Sequence, residues 1–320
     1  MKIVSVLNPS ILSFNIGDDI ILDSIYIELH SLFKETFFID IPTHEVIFRN
    51  SYRTIKKSKY TFVSGTNLLS SNMFFKKPWK LTPLDFFILK NVILLGTGWR
   101  NYEQQTNFYA KQMYKRVLHK EIIHSVRDEY TKQRLNDIGI NNVLNTACPT
   151  MWRLTSEHLS KVPTKISDKA VFTLTDYRKD FVNDKLLIDI LINNYKEVYF
   201  FMQQIGDYHY INELDINIKK IKFLNPTLRD YDDFLENSDV DYIGTRLHGG
   251  VRALQKFKRT IIIGVDNRAK EISKDTNLLV LDRDKIKDEL DILIKSTFKQ
   301  EIKLPEENIE KWKQQFIQED

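Results

Sequence analysis

Hydrophobic positions along the chain fall into two patterns: short runs rich in β-branched and aromatic residues, and longer stretches with apolar residues three and four apart. KIVSVL (2–7), YTFVS (60–64), NVILLG (91–96), EIIHSV (121–126) and NVLNTA (142–147) read as strands. Between them, Asp19 to Phe33, Glu103 to Leu118 and Asp128 to Ile138 read as helices, the last stopped by Gly139. A polar stretch from Thr155 to Asp168, carrying Pro163, interrupts the pattern. Alternation then resumes with KAVFTLT, a helix near 180–196, EVYFFM, a segment near 220–224, VDYIGT, RTIIIGV and NLLVLD. Strands alternating with helices predict parallel sheets, and the interruption predicts two α/β domains, 1–160 and 161–304. The closing segment PEENIEKWKQQFIQED begins with Pro305 and acidic residues, as a helix start prefers, and sets Ile309, Trp312 and Phe316 in one stripe. By analogy with two-domain enzymes, this helix (305–320) is expected to return to the first domain. Residues 34–90 show no clear pattern, and Tyr52 to Tyr60 reads as either strand or loop.

Composition narrows the class. With 320 residues, 42% of them hydrophobic, and only 10 Gly and 8 Pro, the chain has enough apolar surface for two cores and argues against disorder. The single Cys148 excludes an intrachain disulfide and favours a reducing compartment. Asn8 and Pro9 break the first apolar stretch before it could serve as a signal-peptide core, and no run reaches the length of a membrane span, so a cytoplasmic location is expected. The 47 basic and 43 acidic residues are dispersed, and nothing resembles a nucleic-acid-binding signature. The slight basic excess suits an enzyme handling phosphorylated substrates near an anionic membrane.

In open parallel sheets, ligands collect beyond the carboxyl ends of strands, which selects NIGDD (15–19), GTGWR (96–100), RDE (127–129), TDYRKD (175–180), QQIGDYH (203–209), TRLHGG (245–250) and DNRAK (266–270). TRLHGG places Arg246 and His248 on a strand-to-helix turn. Gly249 and Gly250 would let backbone amides approach an anion. The alternative is a surface arginine and a histidine that caps the turn. Arg127 has the same place after EIIHSV; it could grip a carboxylate or phosphate, or simply pair with Asp128 or Glu129. Asp18, Arg178 and Arg268 are further cleft candidates, Asp18 or Asn15 alternatively capping the first long helix. His124 reads as buried and structural, Cys148 as a small buried thiol, and His209 as a loop residue. No metal-ligand array stands out, so no metal is expected.

NIGDD, HSVRDEYTKQRLNDIGINNVLNTACPT and DYIGTRLHGGVRALQKFKRTIIIGVD together resemble the polysaccharide pyruvyl transferases, in order from about residue 15 to about residue 270. The resemblance implies two facing Rossmann-like domains similar to the GT-B glycosyltransferase fold. It also implies transfer of a pyruvyl group from phosphoenolpyruvate, a co-substrate rather than a cofactor, to two hydroxyls of a sugar. The product is a cyclic ketal on a cell-surface polysaccharide or its lipid-linked precursor. With the slight basic excess noted above, the expected setting is the inner face of the membrane, with peripheral association. Position by position, it makes Arg127 and Arg246 ligands of phosphoenolpyruvate, Leu247 and Gly249 part of its pocket, and His248 the general acid. DNRAK departs from the family pattern, which leaves Arg268 and Lys270 unassigned. The competing reading is a sugar-nucleotide glycosyltransferase of the same architecture.

Overall fold

The computed structural model of the chain describes residues 2–74, 78–103 and 105–317. Residues 318–320 of the expected terminal helix, Gln104 of the expected helix 103–118, and 75–77 lie outside the described residues. The chain divides into two compact units: unit 1 comprises Met1–Ser13, Ile21–Trp152 and Leu304–Asp320, and unit 2 comprises Phe14–Ile20 and Arg153–Lys303.

In unit 1, β1 (Lys2–Asn8) leads to α1 (Ile16–Leu32), whose later turns pack on the sheet, then β2 (Thr36–Pro42), α2 (Arg49–Lys57) and β3 (Tyr60–Ser64). Next come α3 (Asp85–Ile88), β4 (Val92–Leu95), α4 (Phe108–Val117), β5 (His124–Val126), α5 (Glu129–Asp137) and β6 (Val143–Asn145). The four-stranded parallel sheet has the order β2-β1-β3-β4. β5 and β6 form a parallel pair that a Thr97–Val126 bridge and the Gly96 N–H to Ser125 O bond (3.0 Å) tie to the β4 end. Every residue of β3 and β4 is buried, because helices cover both faces of a parallel sheet. Phe62, Ile93 and Leu95 face one cluster with Ile21, Ile25 and Leu29 of α1, while Val63, Val92 and Leu94 face the other with Ala110, Met113 and Val117 of α4. The run at 121–126 is strand only from His124. The Ile122 N–H is taken by His119 Nδ1 and the Ile123 N–H by Gln315 Oε1.

Unit 2 opens with the short α6 (Ser156–Leu159), capped by Thr155, within the stretch expected to be a linker. It continues through β7 (Lys169–Phe172), α7 (Phe181–Asn194), β8 (Glu197–Phe200), α8 (Ile205–Glu213), β9 (Ile221–Phe223) and α9 (Leu228–Asn237). β10 (Asp241–Gly244), α10 (Leu247–Gln255), β11 (Thr260–Gly264), α11 (Asn267–Thr276), β12 (Val280–Asp282) and α12 (Asp291–Lys295) complete it. Its six strands are parallel in the order β12-β11-β10-β7-β8-β9. Counted within the unit, that is the 3-2-1-4-5-6 order of nucleotide-binding sheets, and the order reverses between β7 and β10.

The last helix, α13 (Glu306–Ile317), belongs to unit 1. Its Ile309, Trp312 and Phe316 are buried in the cluster under β1 and β3, where Phe316 meets Phe33, Tyr60 and Phe62. Among the described residues, no helix is long and apolar enough to cross a membrane, and no group of three or more His, Cys, Asp or Glu is placed to hold a metal ion.

Candidate active site

Ligands of doubly wound sheets bind where the strand order reverses, because there two neighbouring loops leave the sheet in opposite directions and open a crevice. In unit 2 those loops follow β7 and β10, and they bring Thr173–Tyr177 beside Thr245–His248. A closed ring of hydrogen bonds fixes the second loop. The Arg246 N–H donates to Thr173 Oγ1 (3.1 Å), that hydroxyl lies 2.6 Å from Tyr242 Oη, and the Tyr242 hydroxyl donates back to Arg246 O (2.7 Å).

Arg246 is the residue before α10, with extended backbone (φ −93°, ψ 109°), which aims its side chain out of the helix axis. Its Nε donates to Leu174 O (2.8 Å), and its Nη2 to Asp176 Oδ1 (3.1 Å), Gln204 Oε1 (3.3 Å) and Asp207 Oδ1. The guanidinium carbon lies 5.0 Å from the Tyr177 ring, and the residue is 4% exposed. Nη1 makes no hydrogen bond among the described residues. A guanidinium anchored through Nε and Nη2 with Nη1 in reserve is oriented before any ligand arrives.

The carboxylate at the centre of this cradle is held just as firmly. Asp207 is the third residue of α8 and closes a capping box with Gln204, taking the Gln203 and Gln204 N–H groups on Oδ2 (3.3 and 3.1 Å) and the Asp176 N–H on Oδ1 (3.1 Å). Burial pushes it up to about 6, against the pull of Arg246. Gly206 makes the approach possible, since a Cβ there would stand 1.9 Å from Asp176 Oδ2.

His248 occupies the first turn of α10 and is 7% exposed; Leu247 beside it is also buried. The amides of Leu247 and Gly249 make no hydrogen bond among the described residues, so this helix start presents free donors. The two glycines serve a different purpose from the expected one. A Cβ at Gly249 would meet Gln203 Nε2 at 2.4 Å, and one at Gly250 would meet Ile262 Cγ1 at 2.6 Å and Tyr242 Cε1 at 2.8 Å. Their missing side chains let α10 lie close against Gln203 and the sheet; the anion-facing gain is left to the amides.

Two further candidates reach this site through intermediaries. Arg268 pairs with Asp266 (2.6 Å) and donates to the hydroxyl of Tyr177 (2.5 Å), the ring that lies against Arg246. Asp18 is buried in the first turn of α1, within unit 2; there Asn15 Oδ1 caps the Gly17 N–H (3.1 Å) and the Ile16 N–H donates to Gln203 O (3.0 Å). Asn15, rather than Asp18, is therefore the capping side chain for Gly17. Arg178 is not gathered in: it is exposed, and its carbonyl accepts from Arg283 (2.6 Å). Lys270 pairs with Asp282 (3.1 Å).

In unit 1, Arg127 follows β5 and is 2% exposed. Its Nε donates to Asp128 Oδ2 (2.9 Å) and Nη2 to Trp99 O (3.3 Å), while Nη1 makes no hydrogen bond among the described residues. Asp128 also caps α5, accepting from the Thr131 N–H (2.7 Å), so one carboxylate starts the helix and orients the arginine. Gly98 explains the GTGWR segment: a Cβ there would lie 2.1 Å from Arg127 Cζ, and only glycine lets the guanidinium lie flat on the backbone. Gly96 has φ +66° and packs on Pro149, which is turn chemistry.

The remaining candidates are structural. His124 is fully buried, accepts the Leu94 N–H at Nδ1 (3.1 Å) and donates Nε2 to His119 O (2.9 Å); burial lowers it to about 4, so it stays neutral. Cys148 is buried, with its thiol pushed up by burial. His209 is exposed. Tyr177 and Asp207 were not singled out from sequence, although both lie in strand-end segments and Asp207 carries the spacing of a capping box.

Comparison with known proteins gives the chain a family and a fold class. The polysaccharide pyruvyl transferase family model matches residues 15–267. No curated relative matches the sequence. Among solved structures, the UDP-GlcNAc 2-epimerase of Methanocaldococcus jannaschii, with UDP-GlcNAc and UDP, is similar at TM-score 0.57 and 12% identity over 99% of each chain. MnaA of S. aureus, solved with UDP, is similar at TM-score 0.56 and 12% identity, covering 92% of this chain and 88% of that one. At such identity these likenesses speak for the fold alone, an α/β architecture with parallel sheets of the GT-B-like class. The family match spans most of the chain and includes both strand-end arginines, and the chain belongs to the polysaccharide pyruvyl transferase family.

Proposed function

We propose that the protein transfers a pyruvyl group from phosphoenolpyruvate to two hydroxyls of a sugar in a polysaccharide or its lipid-linked precursor, forming a cyclic ketal. The observation that carries this reading is Arg246 at the strand-order reversal of unit 2, locked through Nε and Nη2, with its Nη1 and the amides of Leu247 and Gly249 making no hydrogen bond among the described residues. Such a set of donors suits a small, doubly anionic donor substrate.

In this scheme Arg246 and the start of α10 hold one anionic group of phosphoenolpyruvate. Leu247 and Gly249 border it, and Arg127 supplies a second guanidinium. His248 gives a proton to the methylene carbon as one sugar hydroxyl adds to the adjacent enol carbon, and the proton of that hydroxyl returns to His248. The carbon–oxygen bond to phosphate then breaks as the second hydroxyl closes the ring, and the displaced phosphate carries away the proton of the second hydroxyl. Phosphoenolpyruvate is the co-substrate, and the scheme calls for no further cofactor and no metal. The arginines lower the barrier by fixing the enol carbon and balancing its anionic substituents.

The test is incubation with phosphoenolpyruvate and a panel of defined saccharides, read by phosphate release and by mass of the product. Phosphate release that depends on an acceptor, with one pyruvyl group added to it, is expected. Thermal stabilisation by a sugar nucleotide, with none by phosphoenolpyruvate, would favour glycosyl transfer instead.

A further inference from the structure

At the amino ends of β3, β4 and β5, the end of the unit 1 sheet opposite Arg127, lies a surface that pyruvyl transfer does not use. α2 buries none of its residues completely; Tyr52 and Ile55 lean on the core while Arg49, Arg53 and Lys56 are exposed. Between α2 and the segment 84–91 runs a groove of about 840 Å³. Its apolar lining includes Phe48, Leu84, Phe87 and Ile88, exposed by 70%, 57%, 62% and 46%. Among the described residues its charged lining is Arg49, Arg53, Lys56, Lys59 and Lys90, with no acidic residue.

A second hollow of about 420 Å³ shares Lys90 and adds Lys115, Arg116 and Lys120, again without an acid among the described residues. The Arg116 guanidinium lies 5.3 and 5.5 Å from the rings of Phe86 and Phe87, which joins the cationic and apolar parts into one band. Among the described residues, Arg49, Arg53, Lys56, Lys90, Lys115 and Lys120 make no ion pair.

Large apolar side chains held out into water next to unpaired cations mark a surface that meets something both greasy and anionic. A free phosphate would account for the cations but not for Phe48 or Phe87. A second copy of the chain would bring like charges face to face. We propose that this band docks the protein on an anionic lipid bilayer. Phe48, Leu84, Phe87 and Ile88 enter among the acyl chains, and the lysines and arginines lie against lipid phosphates. The inference stands on this surface alone and is independent of the chemistry assigned to Arg246 and His248.

The experiment is sedimentation of the full chain with vesicles of phosphatidylcholine, with and without phosphatidylglycerol, at low and high salt. Binding that needs phosphatidylglycerol and weakens with salt is expected. Arg53→Glu with Lys56→Glu should weaken it at least about tenfold, each cation near an anionic surface being worth roughly fivefold. Phe48→Ser with Phe87→Ser should weaken it several-fold while keeping the salt dependence. All four side chains are exposed, and melting curves would verify that both variants fold. The proposal is overturned if the parent does not bind, if phosphatidylcholine alone binds as well, or if the charge-reversed variant binds like the parent. It is equally overturned if the parent is a dimer that Phe48→Ser with Phe87→Ser dissociates and vesicles are ignored.

Discussion

Arg127 in unit 1 and Arg246 in unit 2 both follow a parallel strand, both are almost wholly buried, and both are anchored by Nε and Nη2, yet their surroundings differ in charge. Arg127 answers to one carboxylate, Asp128, its neighbour in the chain. Arg246 answers to two, Asp176 and Asp207, from two other segments of the chain, and it stands at the point where its sheet reverses order. Asp128 takes a helix-capping N–H and Arg127 in one local motif, whereas Asp207, raised to about 6, can change charge close to neutral pH. The same side chain in the same strand-end position thus leans on its chain neighbour in unit 1 and, in unit 2, on a partner carboxylate whose own charge is tunable.

The comparison can be broken most sharply at His248, which has no counterpart after Arg127. His248→Gln should lower turnover about 10²–10⁴-fold with little change in phosphoenolpyruvate binding, the signature of a lost general acid. Measuring kcat beside the binding constant checks this; near-parental turnover in folded protein would leave His248 a positioning residue.

Removing the arginines comes next. Arg246→Ala and Arg127→Ala each leave a buried carboxylate without its cation and should cost about 3–5 kcal/mol near neutral pH. The cost at Arg246 should depend on pH. Asp207 can take up a proton, so the cost of Arg246→Ala should shrink between pH 7 and pH 5. Urea unfolding of Arg246→Ala and of the parent at the two pH values measures this, and a cost that does not shrink would contradict the role given to Asp207.

A smaller effect isolates Asp207 itself. Its folded value lies above its unfolded one, so the folded state holds that proton more tightly. The group favours folding at low pH and loses that advantage as pH rises from about 4 through about 6. The loss should be about 3 kcal/mol, and Asp207→Asn should flatten that limb of the stability curve. An unchanged slope in the variant would place the titration elsewhere.

The smallest contrast is between glycines. Gly250→Ala pushes against Ile262 and Tyr242, which are packed on the sheet, and should cost about 1–3 kcal/mol. Gly98→Ala meets the end of the Arg127 side chain, so it should cost less stability but displace the guanidinium. Thermal melts give the first number, and a weaker response of Gly98→Ala to phosphoenolpyruvate would show the second.

Much of the fold could be read from the chain because β3 and β4 are buried on both faces and appear as unbroken apolar runs. β2 could not: it is a sheet edge with Phe37 more than half exposed, so TFFIDIP lacks a core-facing pattern. α2 escaped for the same reason, having no fully buried residue. At the site, the strand-end rule found every loop that contributes to Arg246, and the pairing of Arg127 with Asp128 was visible as one of two readings. The partnership of Arg246 with Asp207 was not, since 39 residues separate them and only the sheet order brings β8 and β10 to opposite sides of β7. The roles of Gly98, Gly249 and Gly250 were hidden too, because a missing side chain does not reveal which neighbour occupies its space.

The claim at the centre of this account is that Arg246 binds the anionic donor at the strand-order reversal of unit 2. Calorimetric titration of phosphoenolpyruvate into the parent and into Arg246→Lys tests it directly. Lysine keeps the charge but cannot reproduce a guanidinium held by Leu174, Asp176 and Asp207 with Nη1 in reserve. The account predicts that the parent binds phosphoenolpyruvate and that the folded variant binds it at least about tenfold more weakly, a difference of about 1.4 kcal/mol or more. Equal affinity in the two proteins, or no binding to the parent, would contradict it.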